Sequence, residues 1–360
     1  MAFSRVRLEP RLEEPSLGET ALRLAVAAGL AVVLASALVL LTQHDPLIAF
    51  GALGRGAFGS VRALSATINK AVPIGLCAVG IAIAYRARLW NIGAEGQLYF
   101  GALAATGIGL ALPPAMSPFL AIPAVLIAGV AAGALWATLA AIPRAWFGVS
   151  EILSTLMLNY VAILAVEYLV LGPWSDPATF SFPYSPPIAT SAQIGHIYNS
   201  VHGGVLLLLA LILLLAVIDR GLRWGYELRV FGDAPRAAHY AGIAAPVIVI
   251  SALAAAGACA GLAGAVEVSA STTRLQAGLS PGYGFIAILV CWLADGRPFL
   301  ILICSILYAG LLNGGFALQV SGIPPAISNI LQAMLLLCVL AVVGLGRYRV
   351  RFLPSPGTVP

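Results

Sequence analysis

Charge is what this sequence has least of. Only 9% of its 360 residues are Asp, Glu, Lys or Arg, against about a quarter in a soluble domain, whose surface has to be solvated. With 61% hydrophobic residues and a mean hydropathy of +0.99, a water-soluble fold is excluded. Cysteine is scarce too. The five (Cys77, Cys259, Cys291, Cys304, Cys338) all lie in apolar stretches, without the spacing of a metal site or the loop positions of a disulfide framework. They read as small buried hydrophobes. His44, His196, His202 and His239 are scattered, so no metal site is expected. The G-x-x-x-x-G-K-[ST] phosphate loop is absent, so no catalytic residues are expected and any ATP has to be hydrolysed by another chain.

What is present is a succession of apolar runs of about 20 residues, the length that crosses a bilayer. They fall at 22–42, 71–85, 96–112, 119–141, 152–171, 203–218, 245–266, 283–294, 298–314 and 325–345. The eighth is short, as in a tilted, broken or re-entrant span. The first is not a signal peptide, because no small-residue cleavage site follows it. With the N-terminus inside, 15 of the 19 basic residues fall in inner segments; only Arg55, Arg62, Lys70 and Arg274 fall outside, and 172–202 holds no Lys or Arg. The positive-inside rule therefore gives an even number of spans and accounts for a pI of 9.1 without nucleic acid. The fold class expected is all-α: a polytopic membrane protein of about ten transmembrane helices with both termini cytoplasmic. An N-terminal segment (1–20) precedes a membrane domain (21–346) and a C-terminal tail (347–360). Gly129/Gly133, Gly257/Gly261 and Gly310/Gly314, each four apart, predict close helix packing.

Gly54-Arg55-Gly56-Ala57-Phe58-Gly59 matches G-x-G-x-x-G, but no strand precedes it, so nucleotide binding is not expected there. Polar residues at membrane depth are costly unless they face protein or a water path. Glu95 stands in Asn91-Ile92-Gly93-Ala94-Glu95-Gly96-Gln97, a polar break between apolar segments. There Asn91, Glu95 and Gln97 either hold a helix break or touch a solute. Glu151, behind Ser150, complements a helix N-terminus, and Glu267 marks another helix end. On the fifth span Asn159, Tyr160 and Glu167 recur, and the seven-residue spacing of Tyr160 and Glu167 predicts one face looking into the bundle. Asn329 and Gln332, three apart, make a second polar face in the last span, with Gln319 in the turn before it. These residues are translocation-pathway candidates, with interhelical hydrogen bonding as the alternative. In the basic loop 219–242, Asp233 can cap, Pro235 suits a first turn and Gly242 can terminate, giving a short helix on the cytoplasmic face.

Three segments carry a family likeness: Arg88 through Gln97, Glu151 through Tyr160, and Gly232 through Gly242. Together, with Gly282 through Ile288 and Gly322 through Ile327, they resemble the permeases of bacterial ABC importers that serve ribose, branched-chain amino acids and nucleosides. The likeness covers about 70–340, and Asn91 through Gln97 is most similar to the nucleoside or simple-sugar type. The resemblance implies a transmembrane subunit in the bacterial cytoplasmic membrane, paired with a second homologous permease. Its other partners would be a cytoplasmic ABC ATPase, which binds the ATP and Mg, and a periplasmic or lipid-anchored substrate-binding protein. Asp233, Ala234, Pro235, Arg236, Ala237, Ala238, Ala241 and Gly242 would form the coupling helix to that ATPase. Asp233-Ala234 stands where Asn-Pro-type residues are common in the family, which leaves the helix start open. Two other readings stay open. One is an ion-coupled secondary transporter with Glu95 or Glu167 as its protonatable centre; the other is a branched-chain amino acid permease of the same family.

Overall fold

The computed structural model describes residues 5–10, 17–41, 43–113, 115–179, 182–320, 322–324, 326, 327, 329, 330, 332–334, 337, 338, 341 and 348–353. In chain order its elements are β1 (Arg5–Pro10), α1 (Leu17–Leu41), α2 (Pro46–Phe58), α3 (Val61–Arg86), α4 (Ala94–Ala111), α5 (Pro118–Phe147) and α6 (Glu151–Leu171). Then come β2 (His196–Tyr198), β3 (Val201–His202), α7 (Gly204–Gly221), α8 (Arg223–Asp233), α9 (Pro235–Tyr240), α10 (Ala245–Val266), α11 (Tyr283–Leu293), α12 (Pro298–Val320) and β4 (Tyr348–Leu353). A π-helical turn, Glu267–Thr272, continues α10. Among the described residues, six helices are long and apolar enough to cross a membrane: α3, α5, α6, α7, α10 with its π turn, and α12. Residues Gly29–Leu41 with Pro46–Phe58, bent by 115°, make a seventh if the pair is one span. The chain is thus a multi-pass membrane protein.

Of the other three expected spans, one is not long and apolar enough to cross, one is as short as expected, and one is mostly outside the described residues. The one expected at 96–112 is α4, which carries Glu95, Gln97 and Tyr99 in its first two turns. The eighth is α11, only 11 residues long. Much of 325–345 lies outside the described residues, as does Arg347. One boundary moves by almost three turns. The span expected from 71 begins at Val61, because α3 continues through half-buried Lys70. The G-x-G-x-x-G match lies on α2 and its C-terminal cap, so the strand-turn-helix of a dinucleotide site is absent there.

The chain divides into two compact units, Met1–Ser60 with Leu311–Pro360 and Val61–Gly310. In the first, Asp45 caps α2 by accepting from the Leu47 N–H at 2.8 Å, with Pro46 in the first turn. Ala35, Val39, Ala49, Ala52, Leu318 and Ile323 form its core. β1 and β4 pair antiparallel, bringing residues 5–10 alongside 348–353.

The second unit is organised by α3, which is buried at every position from Ala71 to Ala84. A helix apolar on all sides has no solvent face and belongs inside a bundle. α10 packs on α5, α4 and α3, and its density of Ala and Gly is the reason. A Cβ at Gly133 would lie 2.2 Å from Gly257 O, and one at Gly101 2.4 Å from Gly261 O. Two of the three predicted glycine pairs therefore meet each other, backbone to backbone.

The two ends of this bundle differ in chemistry. At one end Arg86 pairs with Asp219, Arg88 with Asp233 and Arg144 with Glu151; Arg220, Arg223, Arg229, Arg236 and Arg297 lie on the same segments. At the other, 182–203 folds over the helix ends. Ser185 N–H donates to Leu275 O at 2.9 Å, Ala189 N–H to Gly109 O at 3.1 Å and Ile194 N–H to Ser269 O at 2.8 Å. The basic residues nearest that end are Arg62, Lys70 and Arg274.

The β2–β3 hairpin is pinned there by Asn69, whose amide donates to Ser200 O at 2.7 Å and accepts from the His202 N–H at 3.2 Å. His202 is buried, and its Nδ1 accepts from the Gly204 N–H at 3.2 Å. Burial, with His196 across the hairpin adding to it, pushes the imidazole from 6.5 down to about 4. A histidine depressed in the folded state gives stability that is complete above the unfolded value and lost as pH falls from about 6.5 toward 4, to the extent of about 3 kcal/mol. Hydrogen-exchange protection of residues 194–204 is expected to hold at pH 7.5 and to decline steadily between pH 6.5 and 4. In His202→Gln that pH dependence should vanish; its persistence would assign the effect to another group.

Candidate functional site

Where α3 meets α4 the chain makes the polar break expected from sequence. Arg88 takes a left-handed conformation (φ 55°), and the Arg88 and Leu89 N–H groups close the helix end on Tyr85 O and Ala84 O. Asn91 and Gln97 exchange two amide hydrogen bonds, each 2.9 Å, and Asn91 Oδ1 also accepts from the Gly93 N–H. From α6, Asn159 accepts from the Gly96 N–H at 2.8 Å and donates to Ile92 O at 2.9 Å. Gly93 and Gly96 make this approach possible, since a Cβ on either would press on Thr155 or Asn159 at under 3 Å.

Glu95 ties the break to a third element. Its Oε2 accepts from the Gly284 N–H at 2.6 Å in the first turn of α11, where a carboxylate complements the free N–H groups. Ser280 Oγ accepts from the Gly282 and Tyr283 N–H groups, and the Ser280 N–H donates to the Tyr99 hydroxyl at 3.3 Å. Glu95 and Ser280 together thus cap α11. Asn159 stands eight residues along α6 from Glu151, and at 1.5 Å per residue this knot lies roughly 12 Å from the arginine-rich end. In a hydrocarbon core about 30 Å thick, that is close to the middle. Asn91, Glu95, Gln97 and Asn159 are all buried; Asn91, Gln97 and Asn159 are hydrogen-bonded within the break and Glu95 to α11.

The remaining candidates separate. α6 buries Glu151, Thr155, Asn159, Ala162, Val166 and Val170, so the expected inward face of Tyr160 and Glu167 has to be corrected. Tyr160 is 59% exposed beside Asn159 at 1%, and Glu167 is half-buried. Successive helix positions are about 100° apart, and the pull of Asn159 on the break turns Tyr160 away. Gln319 lies on α12, not in a turn, because that helix runs to Val320. Asn329 is exposed and Gln332 buried, so they do not form one face. Glu151 does sit in the first turn of α6, and it also pairs with Arg144 at 3.1 Å and receives the Trp90 N–H at 3.4 Å.

At the arginine-rich end, the expected short helix is α9. Asp233 does not cap it. That residue ends α8 and pairs with Arg88 at 3.2 Å, and Ala234 is the one-residue corner before Pro235. Pro235, Arg236, Ala237, His239 and Tyr240 are exposed, Ala238 is buried, and Gly242 leaves the helix with φ 76°. α9 therefore lies on the surface, anchored by one small side chain.

Residues 63–340 match the family model described as branched-chain amino acid transport system, permease component. The chain belongs to that permease family. The permease is 33% identical over 320 residues to the glucose ABC transporter permease of Haloferax volcanii, covering 85% of this chain and 83% of the relative. It is 31% identical over 345 residues to the guanosine ABC transporter permease of Bacillus subtilis, covering 91% and 93%. It is 27% identical over 313 residues to a nucleoside ABC transporter permease of Lactococcus lactis, covering 84% and 86%. No solved structure matches the chain.

The break is a structural unit of this permease, which sets its response to mutation. Asn159→Ala orphans the Gly96 N–H and Ile92 O in a buried setting, at a cost of roughly 2–4 kcal/mol. A loss of several degrees in the melting temperature of the detergent-solubilised protein is expected, and an unchanged value would show that the break holds without α6. Sequence reading missed Ser280 and Tyr99, and gave Gly284 a place in the family segment but no role in the site. The first two carry no charge or motif, and glycine offers only its N–H.

Proposed function

We propose that the permease is a membrane subunit of an ATP-driven importer that takes up nucleosides or simple sugars. The observation that carries this reading is α9, a short exposed helix between α7 and α10 at the arginine-rich end, which supports docking of a cytoplasmic ATPase there. The glucose, guanosine and nucleoside permeases to which the chain is similar supply the solute class. By the positive-inside rule the arginine-rich end is cytoplasmic. The pairing of β1 with β4 supports having both termini on one side, as ten spans require. On this reading residues 21–346 form the permease domain in the bacterial cytoplasmic membrane, flanked by cytoplasmic 1–20 and 347–360.

The partners are then a second homologous permease, ATPase subunits that bind ATP and Mg, and a periplasmic or lipid-anchored binding protein. Asn91, Glu95, Gln97 and Asn159 hold the broken helices from which the pathway wall is built. The exposure of Tyr160 on α6 supports contact with solute or the partner permease, and half-buried Glu167 beside it and half-buried Gln319 on its own unit remain pathway candidates. Asn329 and Gln332 are weaker candidates, since their side chains face different surroundings. A neutral solute needs hydrogen-bonding and aromatic groups more than fixed charge.

The test is affinity purification of the permease from native membranes, identification of its companions by mass spectrometry, and assay of the eluate for ATPase activity. A second permease and a hydrolysing ATPase are expected, with a binding protein that retains nucleosides or sugars. Recovery of the chain alone, with uptake that stops on collapse of the proton gradient while ATP is maintained, would favour an ion-coupled transporter.

A further inference from the structure

Arg86 occupies an unusual position among the elements of the larger unit. It ends α3, and its guanidinium meets Asp219 at the end of α7 with two N–H groups, one of them 2.5 Å from Oδ2. The same guanidinium donates to Gly296 O at 3.0 Å, in the turn between α11 and α12. Asp219 also receives α8: Arg229 donates to its backbone oxygen at 2.8 Å and lies 3.8 Å from its carboxylate. One turn further along α8, Gly232 sits on the α3 end so closely that a Cβ there would lie 2.2 Å from Arg86 O. Only Ala234 separates α8 from α9. Both Arg86 and Asp219 are largely shielded from solvent, unlike the exposed Arg88–Asp233 pair, and an exposed pair contributes little.

We infer that Arg86 and Asp219 form a force-transmitting joint that carries displacement of α9 through α8 into α3 and the α11–α12 turn. The inference rests on α9 being the ATPase contact. From the joint, α3 runs straight into the polar break, and α11 is held at its other end by Glu95. One guanidinium therefore links the surface helix to both elements that meet at mid-membrane. Arg86 and Asp219 are positioning residues, in contact with neither solute nor ATP. Without them, α8 keeps its backbone contact at Gly232, the Arg229 bond to Asp219 O and the Trp224–Ser251 hydrogen bond to α10, but no bidentate ion pair joins the ends of α3 and α7 beside it.

The experiment uses the complete complex in proteoliposomes, with ATP hydrolysis and solute uptake measured on the same preparation. Asp219→Asn is expected to assemble and to hydrolyse ATP at the basal wild-type rate. Its uptake per ATP should fall about tenfold, the size of a lost charge-assisted bidentate contact. Arg86→Gln should match it, while Arg86→Lys, which keeps the charge, recovers much of the ratio. A merely structural role would lower the amount of complex and leave the ratio alone. If Asp219→Asn does not assemble, half-exposed Arg229→Gln decides: a ratio lowered about threefold supports the joint, and an unchanged ratio overturns it. An assembled Asp219→Asn complex with full uptake per ATP also overturns the joint, and leaves the importer reading intact. A wild-type complex lacking an ATPase overturns the importer reading itself.

Discussion

Gly261→Leu is expected to leave no folded permease. A Cβ at this position would lie 2.2 Å from Gly129 O, 2.9 Å from Gly133 Cα and 3.0 Å from Gly133 N. All three are backbone atoms, which cannot rotate away as a side chain can. The crowding is mutual, since a Cβ at Gly257 would lie 2.3 Å from Gly133 O and one at Gly101 2.4 Å from Gly261 Cα. Three helices, α4, α5 and α10, thus meet at one point with no side chain between them, the arrangement by which membrane helices gain packing without a hydrophobic driving force. Overpacking costs about 1–3 kcal/mol where neighbours can yield. Here they cannot, and the leucine adds three further carbons, so the loss approaches the 5–15 kcal/mol of a typical fold. Size-exclusion profiles of a fluorescent fusion should show aggregate only. Gly54→Ala, on α2 with nothing within 4 Å of its Cβ, is the control and should elute as wild type. A monodisperse Gly261→Leu protein of unchanged thermal stability would refute this account of the packing.

The glycine pairs were legible in sequence because spacing of four has a direct meaning on a helix. The break at Asn91 through Gln97 was legible too, because amides, a carboxylate and glycines at membrane depth need a purpose. Its partners were not. Asn159 and Tyr160 are neighbours, and the seven-residue spacing to Glu167 favoured the tyrosine side as the inward face. α6 is apolar on both its lipid-facing and protein-facing sides, so hydropathy holds no sign of which is which. The buried line turned out to run through Thr155, Asn159, Ala162 and Val166. Arg86 and Asp219 are 133 residues apart and each ends an apolar run, where a charge is expected in any case. Their pairing has no local signature. α2 was missed for a related reason: Gly51, Gly54, Gly56 and Gly59 dilute its helical signal, whereas in the structure Gly56 is where Ala317 and Gly314 approach.

The double substitution Arg236→Glu, Ala237→Glu is expected to abolish coupled uptake in a fully folded protein. Both side chains are exposed on α9, and the one residue anchoring that helix, Ala238, is untouched. Surface substitutions of this kind change stability by about 0.5 kcal/mol or less, so yield and melting temperature should match wild type. At an interface the same change acts differently. Two carboxylates replace an arginine and a methyl group in a contact that has to be desolvated, and one misplaced buried charge costs about 2–5 kcal/mol of affinity. At 1.4 kcal/mol per factor of ten, the ATPase should bind on the order of a hundredfold more weakly. Co-purification of ATPase activity is then lost, and uptake falls to background. Ala238→Glu gives a contrasting signature, since a buried carboxylate should unseat α9 and lower the melting temperature as well. Arg274→Glu, at the opposite end of the bundle, should leave the ATPase bound. The distinction matters because the sequence leaves room for an ion-coupled transporter, in which α9 is an ordinary loop helix. In that case the double substitution would transport normally and collapse of the proton gradient would stop it. Uptake would then have to be traced to Glu95 or Glu167, and of the two only Glu167 has a side chain that is not already holding the break.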